Sequence, residues 1–486
     1  MTSVNFNDIR LGLASLPSDH DADGMHRPKV EEIFAPEQHA NALDPNTPVV
    51  VGARGTGKSF WAGVLEQDDT RNVTALAYPH LGLNDVVVVA GYTGFSGGTG
   101  VDPKTIFARV PEGSEDQFAV DFWHAVVIRA AKTALDPHYD KSVREVMQEF
   151  SDPEDLGAEL KRLDARFAKK SKTLLITFDA LDTLSRNWKR SILLIDALFE
   201  VIWSLRARRA IRAKLFIRPE QLNDESLRFV ELPKLRSGRV ELNWTQLDLY
   251  GLLFWRLANS AQGKSAFAKL CKEIGSPIPT KLSAARRTQW PLLFDKELQK
   301  KTTSLLAGPY MGKSFKKGGT YDWPYKHLAD AKGKVTPRSF IKLFSEAANY
   351  GQSLADTAIS HEGIRHGLRE ASKVRVDQLG IEYVWVKRAL APLAGLIVPC
   401  TLDDICERWI QTDTIAMIMN AAESEHGFLP PFNPRLKGDQ ERLLASAMEK
   451  IGLFSTRADD RIDIPDLFRV AAKMLKKGAT TPVQRG

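Results

Sequence analysis

The sequence predicts an α/β fold: a parallel sheet core, then an all-α stretch, then a small C-terminal unit of three helices and a hairpin. Three observations predict it. Between residues 48 and 242 short apolar, β-branched runs alternate with segments of helical periodicity, the pattern of a parallel sheet covered on both faces. After Trp244 such runs stop. From Thr401 a capped helix start, two more helical segments and a hairpin with a polar turn follow one another.

The elements follow in order. Residues 1–30 are polar and weakly patterned, either an ordered arm or a disordered tail. Within them Asp19-His20-Asp21-Ala22-Asp23-Gly24 imitates the start of a calcium loop, but Val30 stands where the bidentate Glu belongs, so the stretch reads as a solvated acidic turn. Val49-Val50-Val51 is a short buried strand, followed by a glycine turn and a helix over 60–65. Val73 to Ala77 and Val86 to Ala90 read as further strands, and Gly91 to Gly100 as a glycine-rich loop. Phe118 to Ala131 reads as a helix with Trp123 on its apolar side, Leu174 to Phe178 as a strand, and Ile192 to Ala207 as a helix. Lys214 to Ile217 and Arg239 to Leu242 complete the strands.

Residues 245–350 read as helices joined by basic loops, with Thr336-Pro337-Arg338 opening a helix that runs through Tyr350; residues 360–395 continue helical. Thr401-Leu402-Asp403-Asp404 is a capped helix start. A helix from Asp439 to Ile451 stops at Gly452, a residue suited to a left-handed C-terminal cap. Leu453-Phe454-Ser455 and Arg461-Ile462-Asp463-Ile464 pair around Ala458-Asp459-Asp460, which gives a winged-helix pattern. The expected division is an arm over 1–33, a core over 34–244, a helical lid over 245–350, a helical connector over 351–396, a winged-helix-like domain over 397–475 and a loose tail over 476–486.

Composition narrows the class. The chain has 486 residues, enough for about three domains. At 43% hydrophobic and 26% charged it is globular in composition, which excludes a disordered or fibrous protein. The net charge of +7 alone is a weak pointer to nucleic acid. Its distribution says more: residues 1–200 carry −9, residues 201–350 carry +16 and residues 351–486 are neutral. Three cysteines, Cys271, Cys400 and Cys406, make neither a disulfide framework nor a zinc spacing and fit a reducing cytoplasm. The longest apolar run, Ile192 to Leu205, is broken by Asp196 and Glu200, so no membrane span is expected. The N-terminus has no basic region ahead of an apolar core, so no secretory signal is expected.

The chemistry is concentrated at Gly52-Ala53-Arg54-Gly55-Thr56-Gly57-Lys58-Ser59, which fits G-x-x-x-x-G-K-[ST] in full, with a strand before it and a helix after it. The glycines let the backbone curl so that N–H groups face a β-phosphate. Lys58 is a point charge for the β- and γ-phosphates, and Ser59 is placed to ligate Mg²⁺. The core is thus a P-loop NTPase core, with Gly52, Arg54, Gly55, Thr56, Gly57, Lys58, Ser59 and Phe60 as nucleotide-binding candidates. Asp179 closes the strand Leu174 to Phe178 and is the second metal candidate beside Ser59. The next residue, where hydrolytic sites of this kind often hold a second carboxylate, is Ala180. Asp182, three positions on, either substitutes for it or caps a helix. Arg218 ends the following strand, where it either reaches a γ-phosphate or is a surface charge before a turn. Arg338 opens a lid helix and either reaches the nucleotide or is a surface charge.

Together these residues resemble the STAND and AAA+-like P-loop ATPases of bacteria, and more narrowly the KAP-type and related ATPases of anti-phage defence loci. The resemblance covers about residues 34–470. It rests on Phe34-Ala35-Pro36-Glu37-Gln38-His39, the loop from Val51 to Trp61, Asp179-Ala180-Leu181-Asp182, Phe216-Ile217-Arg218, the run Leu242-Asn243-Trp244 to Asp248-Leu249-Tyr250, Pro337-Arg338 and the winged-helix pattern. It implies ATP more than GTP, Asp179 as the magnesium residue, Arg218 as a strand-end sensor and Arg338 as a lid sensor. Two departures stand out. KAP-type proteins usually carry Asp-Asp-Leu-Asp where this chain has Asp179-Ala180-Leu181-Asp182, and they commonly carry membrane segments.

Three functions stay open on the sequence. One is an ATP-driven conformational switch of a defence system that gates a partner effector, assembling as a homo-oligomer with an arginine from a neighbour; Arg186, Arg206, Arg208 and Arg209 are candidate donors. Another is a DNA-binding ATPase of replication-initiator or transposition-regulator type. Its DNA contacts would fall in the basic 201–350 segment, at Arg286, Arg287, Lys313, Lys316 and Lys317. The presumed recognition helix, with Glu441, Arg442, Glu449 and Lys450, is charge-balanced and argues against base reading. The third is an adaptor that binds nucleotide without hydrolysing it.

Overall fold

The valine-rich runs around the phosphate loop form a five-stranded, all-parallel sheet in the computed structural model, which describes residues 4–17, 27–94, 100–185, 187–280, 289–352, 354–424, 430–432 and 438–482. The strands are β1 (Val49–Val51), β2 (Val86–Tyr92), β3 (Thr173–Phe178), β4 (Ile211–Ile217) and β5 (Val240–Glu241), in the order β2-β3-β4-β1-β5. Val49, Val50 and Val51 pair with Leu215, Phe216 and Ile217, and Leu174 to Phe178 pair with Ile211 to Leu215. β4 therefore lies between β1 and β3, and the carboxyl ends of these three neighbours carry Gly52, Arg218 and Asp179.

Side chains alternate across this sheet with period two. Val50, Leu175 and Phe216 pack with Trp61, Val64 and Leu65 of helix α2 (Lys58–Glu66) and with Ala75 of α3 (Asp68–Ala77). Val49, Val51, Ile176, Leu215 and Ile217 face the other way. They meet Trp123 and Val127 of α5 (Glu115–Leu135) and Leu198 of α8 (Trp188–Leu205). Between these helices in sequence run α4 (Pro103–Arg109), α6 (Val143–Glu149) and α7 (Pro153–Lys169). The trans-sheet helices leave no face of β1 wet, which is why its three valines read as a continuous apolar run.

Two expectations are corrected in this region. Val73 to Ala77 is not a strand but the second half of α3. Its short apolar run is period-ambiguous. The acidic pair Asp68 and Asp69 in the first turn favours a helix start there, and the buried positions Thr70, Arg71, Thr74 and Ala75 recur at helical spacing. Gly91 belongs to β2 and not to the loop after it. A Cβ at Gly91 would lie 2.7 Å from the Phe178 ring, so glycine there allows a close approach of β2 to β3. Residues 95–99 of the glycine-rich loop, the acidic turn at 19–24, and Arg186, Arg286 and Arg287 lie outside the described residues.

The described residues of 27–243 make one compact unit, and those of 4–17, 244–280 and 289–482 make another. In the second unit α1 (Phe6–Ala14) packs along the later helix α13 (Pro337–Asn349), and Arg10 donates to the carbonyls of Ala348 (2.7 Å), Tyr350 (3.2 Å) and Gly351 (2.5 Å). α9 (Gln246–Asn259), α10 (Lys264–Glu273), α11 (Lys296–Ala307) and α12 (Asp322–Leu328) build the rest of its core. Tyr250 of α9 stacks on Tyr321 at 4.3 Å and donates to the Tyr321 carbonyl at 2.7 Å. α13 crosses α14 (His361–Glu382) closely: a Cβ at Gly363 would come within 2.6 Å of the Ala347 carbonyl, and Gly367 sits still tighter against Leu343.

The C-terminal part has α15 (Leu402–Gln411), α16 (Thr414–Ser424), α17 (Gln440–Lys450) and the antiparallel pair β6 (Ser455–Thr456) and β7 (Ile462–Asp463). Thr401 caps α15 with Asp404 in a reciprocal box, and Gly452 takes the left-handed conformation (φ 80°) after α17. Cys400 exchanges both backbone hydrogen bonds with Ile462, at 3.1 and 2.8 Å, which adds a third strand position and gives the predicted helix-helix-helix-hairpin arrangement. The expected loose tail is corrected as far as it is described. Lys476 binds Asp463 at 2.8 Å, and the buried Arg469 donates to the carbonyls of Met474 (2.9 Å) and Thr480 (2.8 Å). An arginine that deep needs several acceptors, and the returning tail supplies one of them, the Thr480 carbonyl.

Candidate nucleotide site

The loop from Gly52 to Ser59 leaves β1 and turns directly into α2. Gly52 donates to the Ile217 carbonyl of β4 at 3.1 Å, which ties the start of the loop to the neighbouring strand. Gly55 and Gly57 have φ of 81° and 100°, conformations that L side chains rarely adopt. Thr56 closes the turn by donating its backbone N–H (3.3 Å) and its hydroxyl (2.8 Å) to the Ala53 carbonyl. A Cβ at Gly52 would collide with that same Thr56 hydroxyl, so both the curl and its first residue require glycine. The result is a backbone cradle at a helix N-terminus, which suits phosphate.

Lys58 folds over the loop and donates to the carbonyls of Gly52 (2.6 Å) and Ala53 (3.2 Å). Burial lowers its pKa, helped by Arg218 and opposed by Asp179, Glu220 and Asp182. Asp179 is buried at the end of β3, held by its N–H to the Tyr92 carbonyl (2.9 Å), with the Ser59 hydroxyl close enough to favour its carboxylate. Burial raises its pKa, and the nearby Ser59 hydroxyl and the Lys58 charge pull the other way. Folding thus brings Ser59 and Asp179 together across the whole core sequence. A hydroxyl and a carboxylate side by side are hard oxygen donors, and with phosphate and water oxygens they fit Mg²⁺. Among the described residues no group of three or more His, Cys, Asp or Glu is placed to hold a metal alone.

Asp182 and Arg218 pair with each other: the guanidinium lies 2.5 Å from the Asp182 carboxylate, and Glu220 is 3.9 Å from its other nitrogen. Asp182 does not cap α8, since Asn187 does that. Instead Ala180 takes a left-handed conformation (φ 54°), and the chain then makes one tight turn over Leu181–Thr183. Thr183 holds this turn by donating to the Ala180 carbonyl (2.8 Å) and by bonding the Tyr92 hydroxyl (2.8 Å). The residue after Asp179 is therefore a backbone bend, and the nearest second carboxylate is already engaged by an arginine.

Other predicted residues fall elsewhere. Arg338 is the second residue of α13, in the other unit. Arg206, Arg208 and Arg209 lie just before β4, at the amino end of the sheet and so opposite the loop; Arg206 sits over Trp203 at 4.4 Å. In α17, Arg442 is paired with Asp403 (2.7 Å) and Asp439 (3.1 Å), so the presumed recognition helix is neutralised locally as well as on balance. Phe60 stacks edge-on against Trp61 at 5.5 Å.

The sequence reading missed two features. Glu66, seven residues after Ser59 and so on the same face of α2, accepts from Thr177 of β3 at 2.8 Å; burial raises its pKa, with Asp179 adding to the rise. The helical period was the available signal. The second is a buried staple: the Trp61 indole donates to His39 Nδ1 (3.1 Å), and His39 Nε2 donates to the Asn243 carbonyl (3.0 Å). It joins the segment before β1, the loop helix and the segment after β5.

No family model matches the chain, and no curated protein matches it. Solved structures that align with it include ORC2 of Aeropyrum pernix (13% identity, TM-score 0.33, 93% of this chain and 94% of that one). Others are the Walker-type ATPase of Pyrococcus abyssi (12%, 0.38, 91% and 97%) and ORC1 of Aeropyrum pernix in complex with DNA (15%, 0.36, 96% and 94%). Similarity at this level assigns neither family nor function, and the site stands on its own geometry.

Proposed function

We propose that the chain binds ATP with Mg²⁺ at the 52–59 loop and hydrolyses it slowly, as a nucleotide-driven conformational switch. The observation that carries this reading is the glycine-curled loop with Lys58 folded over it and the buried Asp179 at the end of β3. The loop amides and Lys58 would hold the phosphates, and Ser59 and Asp179 would hold the metal. Bound Mg²⁺ would supply neutralisation of the charge that develops on the phosphates. Phosphate oxygens would replace the Gly52 and Ala53 carbonyls as the acceptors of Lys58.

Slow turnover is supported by the bend at Ala180 and by the Asp182–Arg218 pair. Transfer of Arg218 to a γ-phosphate frees the Asp182 carboxylate to accept a proton from water. The output we assign is control of a partner effector, with assembly into a homo-oligomer, in a cytoplasmic defence setting; the resemblance to KAP-type ATPases supports this part. Arg338 is assigned the lid-sensor role on the same ground.

ATP binding and single-turnover hydrolysis by wild type, Lys58→Ala and Asp179→Ala test the reading. Expected are tight Mg·ATP binding and slow hydrolysis in wild type, weak binding in Lys58→Ala, and retained nucleotide with lost Mg²⁺ dependence in Asp179→Ala. Tight binding with no hydrolysis above background leaves the adaptor reading in place of the switch.

A further inference from the structure

Within the helical unit, residues 310–319 form a self-contained loop whose base is fixed and whose tip is presented to solvent. Tyr310 and Gly319 bridge in antiparallel fashion, Met311 donates to the Gly318 carbonyl at 2.9 Å, and the Thr320 hydroxyl donates to the Gly308 carbonyl at 2.6 Å. Met311 is fully buried, and its carbonyl accepts from Arg365 at 2.6 Å. The tip is a single tight turn, Phe315–Lys317, closed by Gly318 at φ 87°. Phe315 is 71% exposed, and Tyr310 at the base is 42% exposed. Lys313, Lys316 and Lys317 flank Phe315 in the chain, all are exposed, and among the described residues none of them forms an ion pair.

We infer that this loop is a contact site for single-stranded nucleic acid, with Phe315 stacking on an unpaired base and Lys313, Lys316 and Lys317 neutralising the adjoining phosphates. A lone exposed aromatic needs no explanation. An exposed aromatic on a turn with a hydrogen-bonded base, flanked in the chain by three exposed lysines, matches the two requirements of strand binding, a stacking platform and a cationic track. A duplex reader needs an element that fills a groove, such as a helix or a β-ribbon, and one tight turn is too small. A membrane-seated loop needs several apolar side chains, and Ser314, Gly318 and the lysines leave only Phe315 at the tip. The acidic neighbours are Asp322, near Gly319, and Glu362, which pairs with His361; neither pairs with the three lysines. The inference is independent of the nucleotide site.

The test is fluorescence anisotropy of the full chain with a labelled single-stranded oligonucleotide, a matched duplex, and phosphatidylserine vesicles as a competitor. Three phosphate contacts give a slope of log K against log salt of about −2 on single strands. The triple variant Lys313→Ala/Lys316→Ala/Lys317→Ala should flatten that slope to near zero. Phe315→Ala should weaken single-strand binding by roughly five- to 150-fold. Phe315→Leu should weaken it comparably, since it keeps apolar bulk but cannot stack, whereas Phe315→Tyr should retain affinity. All four side chains are exposed, and unchanged melting of each variant confirms the fold. The inference is overturned by absence of binding at low salt, by tighter binding to duplex than to single strand, by full affinity in Phe315→Leu, or by vesicles displacing the labelled strand more effectively than unlabelled single strand does.

Discussion

Lys58 and Asp179 are pushed towards their neutral forms by burial and held back from it by each other. Metal binding requires the Asp179 carboxylate, so Mg²⁺-dependent nucleotide affinity should decline on acidification at a higher pH than an ordinary aspartate would give. A titration of ATP affinity with and without Mg²⁺ between pH 4 and 7 measures this, and the decline should be steeper with Mg²⁺ than the one that protonation of the phosphate alone produces without it. A second residue-scale expectation concerns the Asp182–Arg218 pair. If Arg218 is withdrawn from Asp182 by phosphate, then Arg218→Ala lowers ATP affinity and turnover together, whereas Asp182→Asn lowers turnover alone. Steady-state kcat and KM separate these outcomes; an equal loss of affinity in Asp182→Asn would assign the pair a purely structural role. The sequence exposed each of these residues as a strand end or loop member. It could not show that two of them are bonded to one another, because that depends on how β3 and β4 are placed side by side.

Among the elements, β4 carries a lysine that no nucleotide explains. Lys214 is fully buried and donates to the carbonyls of Ala42 (2.9 Å), Asp44 (2.8 Å) and Thr47 (2.7 Å), so it closes the chain just ahead of β1. Burial lowers its pKa to about 7. The unfolded chain, with an ordinary lysine near 10.5, then binds more protons than the folded one between these values, so stability rises with pH across that window. Lys214→Met should remove this rise, and at neutral pH should cost at least about 1–3 kcal/mol because three carbonyls lose their donor. Urea unfolding of both proteins at pH 7 and pH 9 checks both points. The α13–α14 crossing is the other element-scale case. Gly367 lies against the Leu343 carbonyl with no room for a methyl group, so Gly367→Ala should destabilise the helical unit by about 1–3 kcal/mol, read as a lower urea midpoint. In the winged-helix region the hairpin arginines resemble Arg442 in being neutralised. Arg461 lies 2.7 Å from Asp459, and Arg457 3.7 Å from Asp463, which leaves little free charge for a phosphate backbone.

At the scale of the whole chain, the first helix belongs with residues more than 300 positions away. Arg10 holds three carbonyls at the end of α13, and the Ser345 hydroxyl donates to the Ala14 carbonyl at 3.1 Å. Deleting residues 1–17 should therefore lower the stability of the helical unit and leave nucleotide binding at the 52–59 loop close to wild type. Differential scanning fluorimetry with and without Mg·ATP reads both; loss of nucleotide binding as the main effect would contradict the assignment of α1 to the helical unit. Excess charge follows the same division. The loop 313–317 belongs to the helical unit, whereas Lys58 and Arg218 at the nucleotide site are occupied locally by carbonyls and carboxylates.

The sequence by itself determined what depends on near neighbours in the chain: the curl of Gly52 to Ser59, the strands β1, β3 and β4, the caps at Thr401 and Gly452, and the winged-helix order. These follow from backbone freedom, side-chain period and local hydrogen bonding. It misjudged α3, where the five-residue run from Val73 to Ala77 fits either period and the acidic first turn decided. It also left the tail from Lys476 loose, although buried Arg469 draws it back. Only the tertiary structure decided which strand ends become neighbours. The order β2-β3-β4-β1-β5 sets Arg218 between the phosphate loop and Asp179, brings Ser59 to Asp179, and pairs Asp182 with Arg218. No sequence interval encodes that order, because it follows from which apolar faces bury one another best across the whole sheet.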